Sequence, residues 1–223
     1  APTYRGAKWG ILVESLASGE IVYHYNANSF LIPASNTKLL TTAAALQRLR
    51  PEDAIFSKSV RDWVTTTNLR SNNQYAERLL KHIGGAWAAK QALTEMGISP
   101  EGFRIADGSG LSRNNFTTPR TLVNLLRAMH SDQNRDVFLS SLPVAGVSGT
   151  LRNRMRQTSA QGAVYAKTGT LRGVRALSGY LENPHHGTLI FSILVNQPGV
   201  YGNALVTGID KVVLQLQSAA PCN

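Results

Sequence analysis

The chain has 223 residues, 43% hydrophobic and 16% charged, enough apolar material for a globular core and too much for a disordered chain. Lys and Arg number 23 against 13 Asp and Glu, a net charge of +10, which favours anionic partners such as nucleic acid, anionic lipid or an acidic wall polymer. No run approaches the roughly 20 apolar residues of a membrane span, and the single cysteine, Cys222, excludes an internal disulfide framework and any multi-cysteine metal cluster.

In chain order, Trp9 to Val13 and Ile21 to Tyr25 read as two short strands around a turn at Ala17-Ser18-Gly19-Glu20. Pro33 and Ser35 precede a run of helix formers, Lys38 to Leu49, that Pro51 ends. The middle is helical in period: Tyr75, Leu79, Leu80 and Ile83 recur at helix spacing. Leu122, Leu125, Leu126 and Met129 do so after Thr118 as a cap and Pro119 at the first helical position. The last third returns to strands. Ala163 to Ala166 leads into Lys167-Thr168-Gly169, and Val174 to Leu181 and Thr188 to Val195 follow. The near-continuous apolar run Leu189 to Val195 reads as a central strand covered on both faces. A helix over about Asn203 to Gln217 closes the chain. This pattern predicts an α+β domain: an antiparallel sheet built from both chain ends, flanked by helices, with a helical lobe inserted between them. The sheet part spans about residues 1–34 and 160–223, and the helical part about 35–159.

Basic residues cluster only briefly, at Arg48 and Arg50, at Arg152, Arg154 and Arg156, and at Arg172 and Arg175. Without interleaved aromatics or a zinc-finger or RNP pattern, they predict a solvated surface and no nucleic-acid partner. The five histidines show no ligand spacing, so no metal site is expected.

Three short motifs carry chemistry. Ser35-Asn36-Thr37-Lys38 opens an apolar helix, and positions i and i+3 share a helix face, so the lysine amine reaches the serine hydroxyl. A helix start also offers free N–H groups and partial positive charge to an oxyanion. Alone, the signal is weak, and Ser35 reads as a helix cap. Ser71-Asn72-Asn73 presents a hydroxyl and an amide able to relay a proton and hold a substrate amide; alone, it reads as a cap and turn. Lys167-Thr168-Gly169-Thr170 places a cation and two hydroxyls on a strand whose glycine admits a close backbone approach, a setting for a carboxylate; alone, it is an edge strand.

Together and in this order, Ser-x-x-Lys, Ser-x-Asn and Lys-Thr-Gly form the motif set of β-lactamases and penicillin-binding proteins. The likeness extends to Asp107-Gly108-Ser109-Gly110-Leu111-Ser112, Arg113, Asn114, Thr118-Pro119-Arg120, Leu142-Pro143-Val144-Ala145-Gly146, Gly149-Thr150-Leu151, Arg154 and Leu177-Ser178-Gly179-Tyr180. Over nearly all of Trp9 to Gln197 the chain resembles the low-molecular-mass class C penicillin-binding proteins, D-alanyl-D-alanine carboxypeptidases and endopeptidases. It lacks the large accessory domains that most members insert between the first two motifs, because only residues 39–70 separate Lys38 from Ser71. Stem-peptide contacts made by an insert are therefore not carried over. Trp63, Ile55 and Phe56, the large apolar groups of residues 51–70, are expected to bury against the domain in place of a stalk.

The resemblance implies a penicillin-binding-protein fold with a five-stranded sheet and an acyl-enzyme mechanism on peptidoglycan peptides. Ser35 is then the nucleophile and Lys38 the base, its pKa lowered by burial and by Lys167. Ser71 relays the proton to the leaving amine and Asn73 holds the substrate backbone. Lys167, Thr168, Gly169 and Thr170 position the terminal carboxylate, and the N–H groups of Ser35 and Thr170 form the oxyanion hole. No metal or organic cofactor is implied, and β-lactams are implied as covalent inhibitors. Asp107, Ser109 and Glu77 read as structural braces, Glu77 through an arginine, and Arg172 and Arg175 as solvated. The chain opens Ala-Pro-Thr with no charged-then-apolar leader, and the resemblance implies an exported protein whose leader has been removed. Two other readings stand beside this one: a β-lactamase or esterase on the same scaffold, and a non-catalytic wall-binding protein. Between Asn73 and Lys167 the glutamates are Glu77, Glu95 and Glu101, none in a Glu-x-x-Leu-Asn segment, which argues against lactamase-type deacylation.

Overall fold

The computed structural model describes residues 6–197 and 204–220. Cys222, and Asn203 at the expected start of the last helix, lie outside the described residues. Five antiparallel strands form the main sheet: β1 (Lys8–Ser15), β2 (Ile21–Tyr25), β3 (Val164–Leu171), β4 (Val174–Asn183) and β5 (Gly187–Asn196), in the order β2-β1-β5-β4-β3. The helices are α1 (Thr37–Arg48), α2 (Val60–Leu69), α3 (Asn73–His82), α4 (Gly85–Glu95), α5 (Pro119–His130), α6 (Arg135–Ser140) and α7 (Ala204–Ser218). The sheet thus comes from both chain ends, with six helices threaded between β2 and β3, as the sequence predicts.

Alternation along the strands divides the core between two faces. Leu12, Ala176, Tyr180, Ile190 and Leu194 join the helical side with residues of α1 to α6. Ile11, Val13, Leu177, Leu181, Leu189, Phe191, Ile193 and Val195 face α7 through Leu205, Ile209, Val213 and Leu216. β5 is covered on both faces, which is why its sequence is almost unbroken apolar. Asn183 Nδ2 holds the end of α7 by donating to the carbonyls of Leu216 at 2.8 Å and Gln217 at 3.1 Å. On the opposite face Arg127 of α5 donates to Glu14 Oε2 of β1 at 3.0 Å, a half-buried ion pair that fixes helix to sheet.

The central helix is α1, buried from Thr37 to Leu46. Its buried residues include Lys38, Thr41 and Thr42, whose polar atoms find partners inside the fold. The helices that periodicity did not reveal have local reasons. α2 is rich in Val and Thr, weak helix formers, and is held by Ser59, whose hydroxyl accepts from Asp62 N at 3.2 Å. α4 begins at the left-handed pair Gly84 and Gly85, which reads in sequence as a loop.

The short connection packs as expected for two of its three apolar groups. Ile55 and Trp63 are buried, Trp63 Nε1 donates to Ile55 O at 3.0 Å, and the indole lies 4.2 Å from the Tyr75 ring of α3. Phe56 does not bury: at φ +56° it sits in a tight turn that aims its ring outward, 80% exposed. Trp63→Ala should therefore destabilise the protein by about 3–5 kcal/mol in denaturant unfolding, while Phe56→Ala should change stability by less than about 0.5 kcal/mol. Equal effects would contradict this packing.

Candidate active site

Pro33 leads into a 3-10 turn, Ala34–Asn36, that continues directly into α1. Ala34 is left-handed at φ 49°, a conformation that costs a non-glycine residue about 1–3 kcal/mol and persists only when its surroundings enforce it. Thr37 Oγ1 donates to Ala34 O at 2.9 Å. Gly110, itself at φ +84°, lies so close that a Cβ there would stand 1.9 Å from the same carbonyl. The turn is tied to the sheet by Asn36 Nδ2, which donates to Lys167 O at 2.8 Å. Gly169 permits this: a Cβ on it would stand 2.6 Å from Pro33 O, so the glycine of Lys-Thr-Gly makes room for the chain's own turn.

One turn into α1, Lys38 Nζ donates to Ser35 Oγ at 3.0 Å, Asn73 Oδ1 at 2.7 Å and Ser109 O at 2.6 Å. Lys38 is fully buried while Ser35 stays half-exposed. Burial lowers the Lys38 pKa to about 8, against the opposing pull of Asp107 and Glu77. The repulsion between the two lysines is felt instead at Lys167, whose pKa burial and then Lys38 hold well below its ordinary value. Three acceptors saturate an ammonium. A neutral amine keeps two donors and gains a lone pair, so it can still satisfy Asn73 and Ser109 while accepting the Ser35 proton.

Ser71 is left-handed at φ 54°, and Asn72 caps α3 by accepting from Tyr75 N at 3.0 Å. The cap reading and the site reading are thus both realised, on neighbouring residues. Lys167 Nζ crosses from β3 to donate to Ser71 Oγ at 2.8 Å and to Thr168 O at 3.0 Å. A cleft of about 590 Å³ is lined by Ser35, Ser71, Asn73, Thr168 and Thr170, with Leu111, Thr150, Arg154, Val206 and Thr207 completing the wall. A larger groove of about 750 Å³ lies around Arg48, Arg50 and Arg61 and touches none of these motifs.

The eight residues singled out from sequence therefore converge: five line the cleft, Lys38 and Lys167 reach it from the buried side, and Gly169 lets β3 approach the turn. Asp107 is a brace as expected, accepting from Gly110 N and Ser112 N, both at 2.6 Å, and from Asn115 Nδ2 at 2.8 Å. Glu77 is also a brace, but its partners are the N–H groups of Gly108 at 3.0 Å and Ser109 at 2.9 Å, where an arginine was expected. Together they aim the Ser109 carbonyl at Lys38. Arg175 is not simply solvated: Nη1 donates to Leu171 O and Val174 O, both at 2.8 Å, closing the β3–β4 hairpin. Thr150 and Arg154 also line the cleft, and their residue types alone assign them no task there. The Ser109 carbonyl was invisible because a backbone acceptor leaves no mark on residue type.

Comparison with known proteins identifies the family of the chain. The chain matches the D-Ala-D-Ala carboxypeptidase 3 (S13) family over residues 1–61 and 53–218, the two segments meeting in the connection between Lys38 and Ser71. It belongs to that family. A D-alanyl-D-alanine carboxypeptidase of Actinomadura sp. (strain R39) is 44% identical over 166 residues, 67% of this chain and 30% of the relative. A penicillin-sensitive carboxypeptidase A of Dictyostelium discoideum is 33% identical over 182 residues, 73% of this chain and 35% of the relative. The chain thus spans about a third of the length of the curated relatives it matches. Penicillin-binding protein 4 of Haemophilus influenzae shares the fold, with a TM-score of 0.84 at 14% identity covering 96% of this chain and 97% of that one. A β-lactamase from Chitinophaga pinensis follows at 0.77 and 19%, covering 96% and 92%.

The close approach of Gly110 to the Ala34 turn can be measured against a glycine with the same backbone and open space. Gly97, at φ +86° with no atom near its Cβ position, should cost about 1–2 kcal/mol when changed to Ala. Gly110→Ala should cost clearly more and slow acylation of Ser35. Equal destabilisation of the two variants would show that the turn yields freely.

Proposed function

We propose that the protein is a serine D-alanyl-D-alanine peptidase, a carboxypeptidase or endopeptidase of peptidoglycan stem peptides that is acylated by penicillin. The observation that carries this reading is the bonded chain Ser35, Lys38, Asn73 beside Lys167, Ser71, both opening on one cleft in a chain of this family. Ser35 Oγ attacks the carbonyl of the penultimate D-alanine as its proton passes to the lone pair of neutral Lys38. The amide bond breaks, and the leaving D-alanine amine takes a proton through Ser71. Water then hydrolyses the ester and returns Ser35. Asn73 holds the substrate amide, and Lys167, Thr168 and Thr170 face its terminal carboxylate. The backbone N–H groups of Ser35 and Thr170 receive the oxyanion, a donor set in which one member is typically worth ~10²–10³ in rate.

A class A lactamase on the same scaffold uses a carboxylate-held water to clear its acyl-enzyme. Among the described residues lining the cleft there is no Asp or Glu, and Glu77 is committed to two backbone amides. Slow deacylation follows. A non-catalytic wall-binding role would give no reason to keep Lys38 buried against Ser35. The protein acts in an exported, cell-wall compartment on this reading, and among the described residues no helix is long and apolar enough to cross a membrane.

Incubation with penicillin followed by intact-mass measurement should show one lasting adduct, absent from Ser35→Ala. Rapid release of hydrolysed penicillin would favour the lactamase, and no reaction the binding protein. Acylation should also rise with pH as Lys38 loses its proton. A pKa of about 8 gives a rate increase of about tenfold from pH 6 to pH 7 and a plateau above pH 9. Lys38→Arg, which cannot deprotonate, should nearly abolish it. A flat profile from pH 6 to pH 9 would remove Lys38 as the base.

A further inference from the structure

We propose that Thr150 is a positioning residue for the substrate's terminal carboxylate: its hydroxyl donates to Thr168 Oγ1 and so turns the Thr168 proton into the cleft. This rests on the acyl-transfer reading above and adds to it a residue that reacts with nothing.

The two hydroxyl oxygens are 2.7 Å apart, and both residues line the cleft with Ser35 and Thr170. Thr150 is rigidly placed. It lies in a 3-10 turn, Gly149–Leu151, whose Leu151 is fully buried in the core beneath the sheet. Gly149, at φ +56°, has its Cβ position 2.5 Å from Leu69 O, so the turn abuts the segment that leads to Ser71. Ser148 Oγ steadies the approach by accepting from Val144 N at 3.1 Å.

A hydroxyl has one proton and two acceptor sites. In the free pair either threonine can be the donor. A carboxylate opposite Thr168 removes that freedom, because an anion only accepts. Thr168 must then donate to the carboxylate, and Thr150 must donate to Thr168, a chain in which each bond polarises the next. The neighbouring cations leave these hydroxyls much of the work. Arg154 is engaged by Asp210, Nε reaching Oδ1 at 3.1 Å and Nη2 the same oxygen. Lys167 is fully buried and spends two of its three donors on Ser71 Oγ and Thr168 O. Orientation of the Thr168 proton is therefore a term in carboxylate affinity that the chain sets from outside the three motifs.

The test compares the parent, Thr150→Val, Thr150→Ser, Thr168→Val and the double variant Thr150→Val/Thr168→Val. Two readouts are used: kcat and KM on an acylated D-Ala-D-Ala peptide, and acylation rates with benzylpenicillin and with its methyl ester, which lacks the carboxylate. Thr150→Val should raise KM up to about tenfold, the scale of one neutral hydrogen bond, with kcat within twofold. It should slow acylation by benzylpenicillin similarly and leave the methyl ester unchanged. Thr150→Ser should restore parent values, and Thr150→Val added to Thr168→Val should cost nothing more. Equal loss on acid and ester, or losses that multiply in the double variant, would overturn the positioning role and leave Thr150 a structural residue. A parent protein inert to penicillin would overturn the acyl-transfer reading itself, and this role with it.

Discussion

Two lysine side chains are buried side by side, and among the described residues neither makes an ion pair with a carboxylate. Removing an ammonium from water is expensive unless its protons are taken up. Here the acceptors are neutral: two serine hydroxyls, an asparagine amide and two backbone carbonyls. On the proposed reading that choice is what permits the chemistry. A bonded carboxylate would hold Lys38 as an ammonium, whereas neutral acceptors let burial pull its pKa down to about 8. Asp107 and Glu77 stay at one remove, spent on backbone amides, close enough to temper the burial and too far to trap the proton.

Much of the surrounding structure serves to keep five backbone and side-chain acceptors in place around two amines. The Ala34 turn, the Gly110 loop and the Gly169 strand meet with no space left over, each backbone fitted against the next. Asn36 binds the first to the third. Trp63 plays a comparable part at longer range, since it packs at a tilt against Tyr75 and so holds α3, which begins with Asn73.

What the sequence could convey is uneven for a physical reason. That Ser35, Lys38, Ser71, Asn73 and Lys167 come together is legible because the roles proposed for them demand particular side chains at fixed spacing. The sheet is legible because alternation marks each strand and an unbroken apolar run marks the doubly covered one. The Ser109 carbonyl, the amide partners of Glu77 and the carbonyl partners of Arg175 are backbone atoms, identical in every residue, so their use emerges only from coordinates. Phe56 shows a different limit: an apolar side chain carries a tendency to bury, but a positive φ in a two-residue turn decides its direction.

The strand pairing has a consequence for how the protein comes into being. β1 lies between β2 and β5, and Lys8 is opposite Asn196. A ribosome moving at about 5–20 residues per second leaves β1 without that neighbour for on the order of ten seconds or longer. During that interval the hairpin of β1 and β2 presents an unpaired edge and the Ile11, Val13 and Val22 face without a cover. The last strand to emerge, β5, is also the one that completes the sheet on which β3 carries Lys167. The candidate site therefore lacks its supporting sheet until β5 is available. A chain halted before β5 would carry an apolar sheet edge suited to aggregation, and β3 would lack the sheet that seats Lys167 beside Ser71.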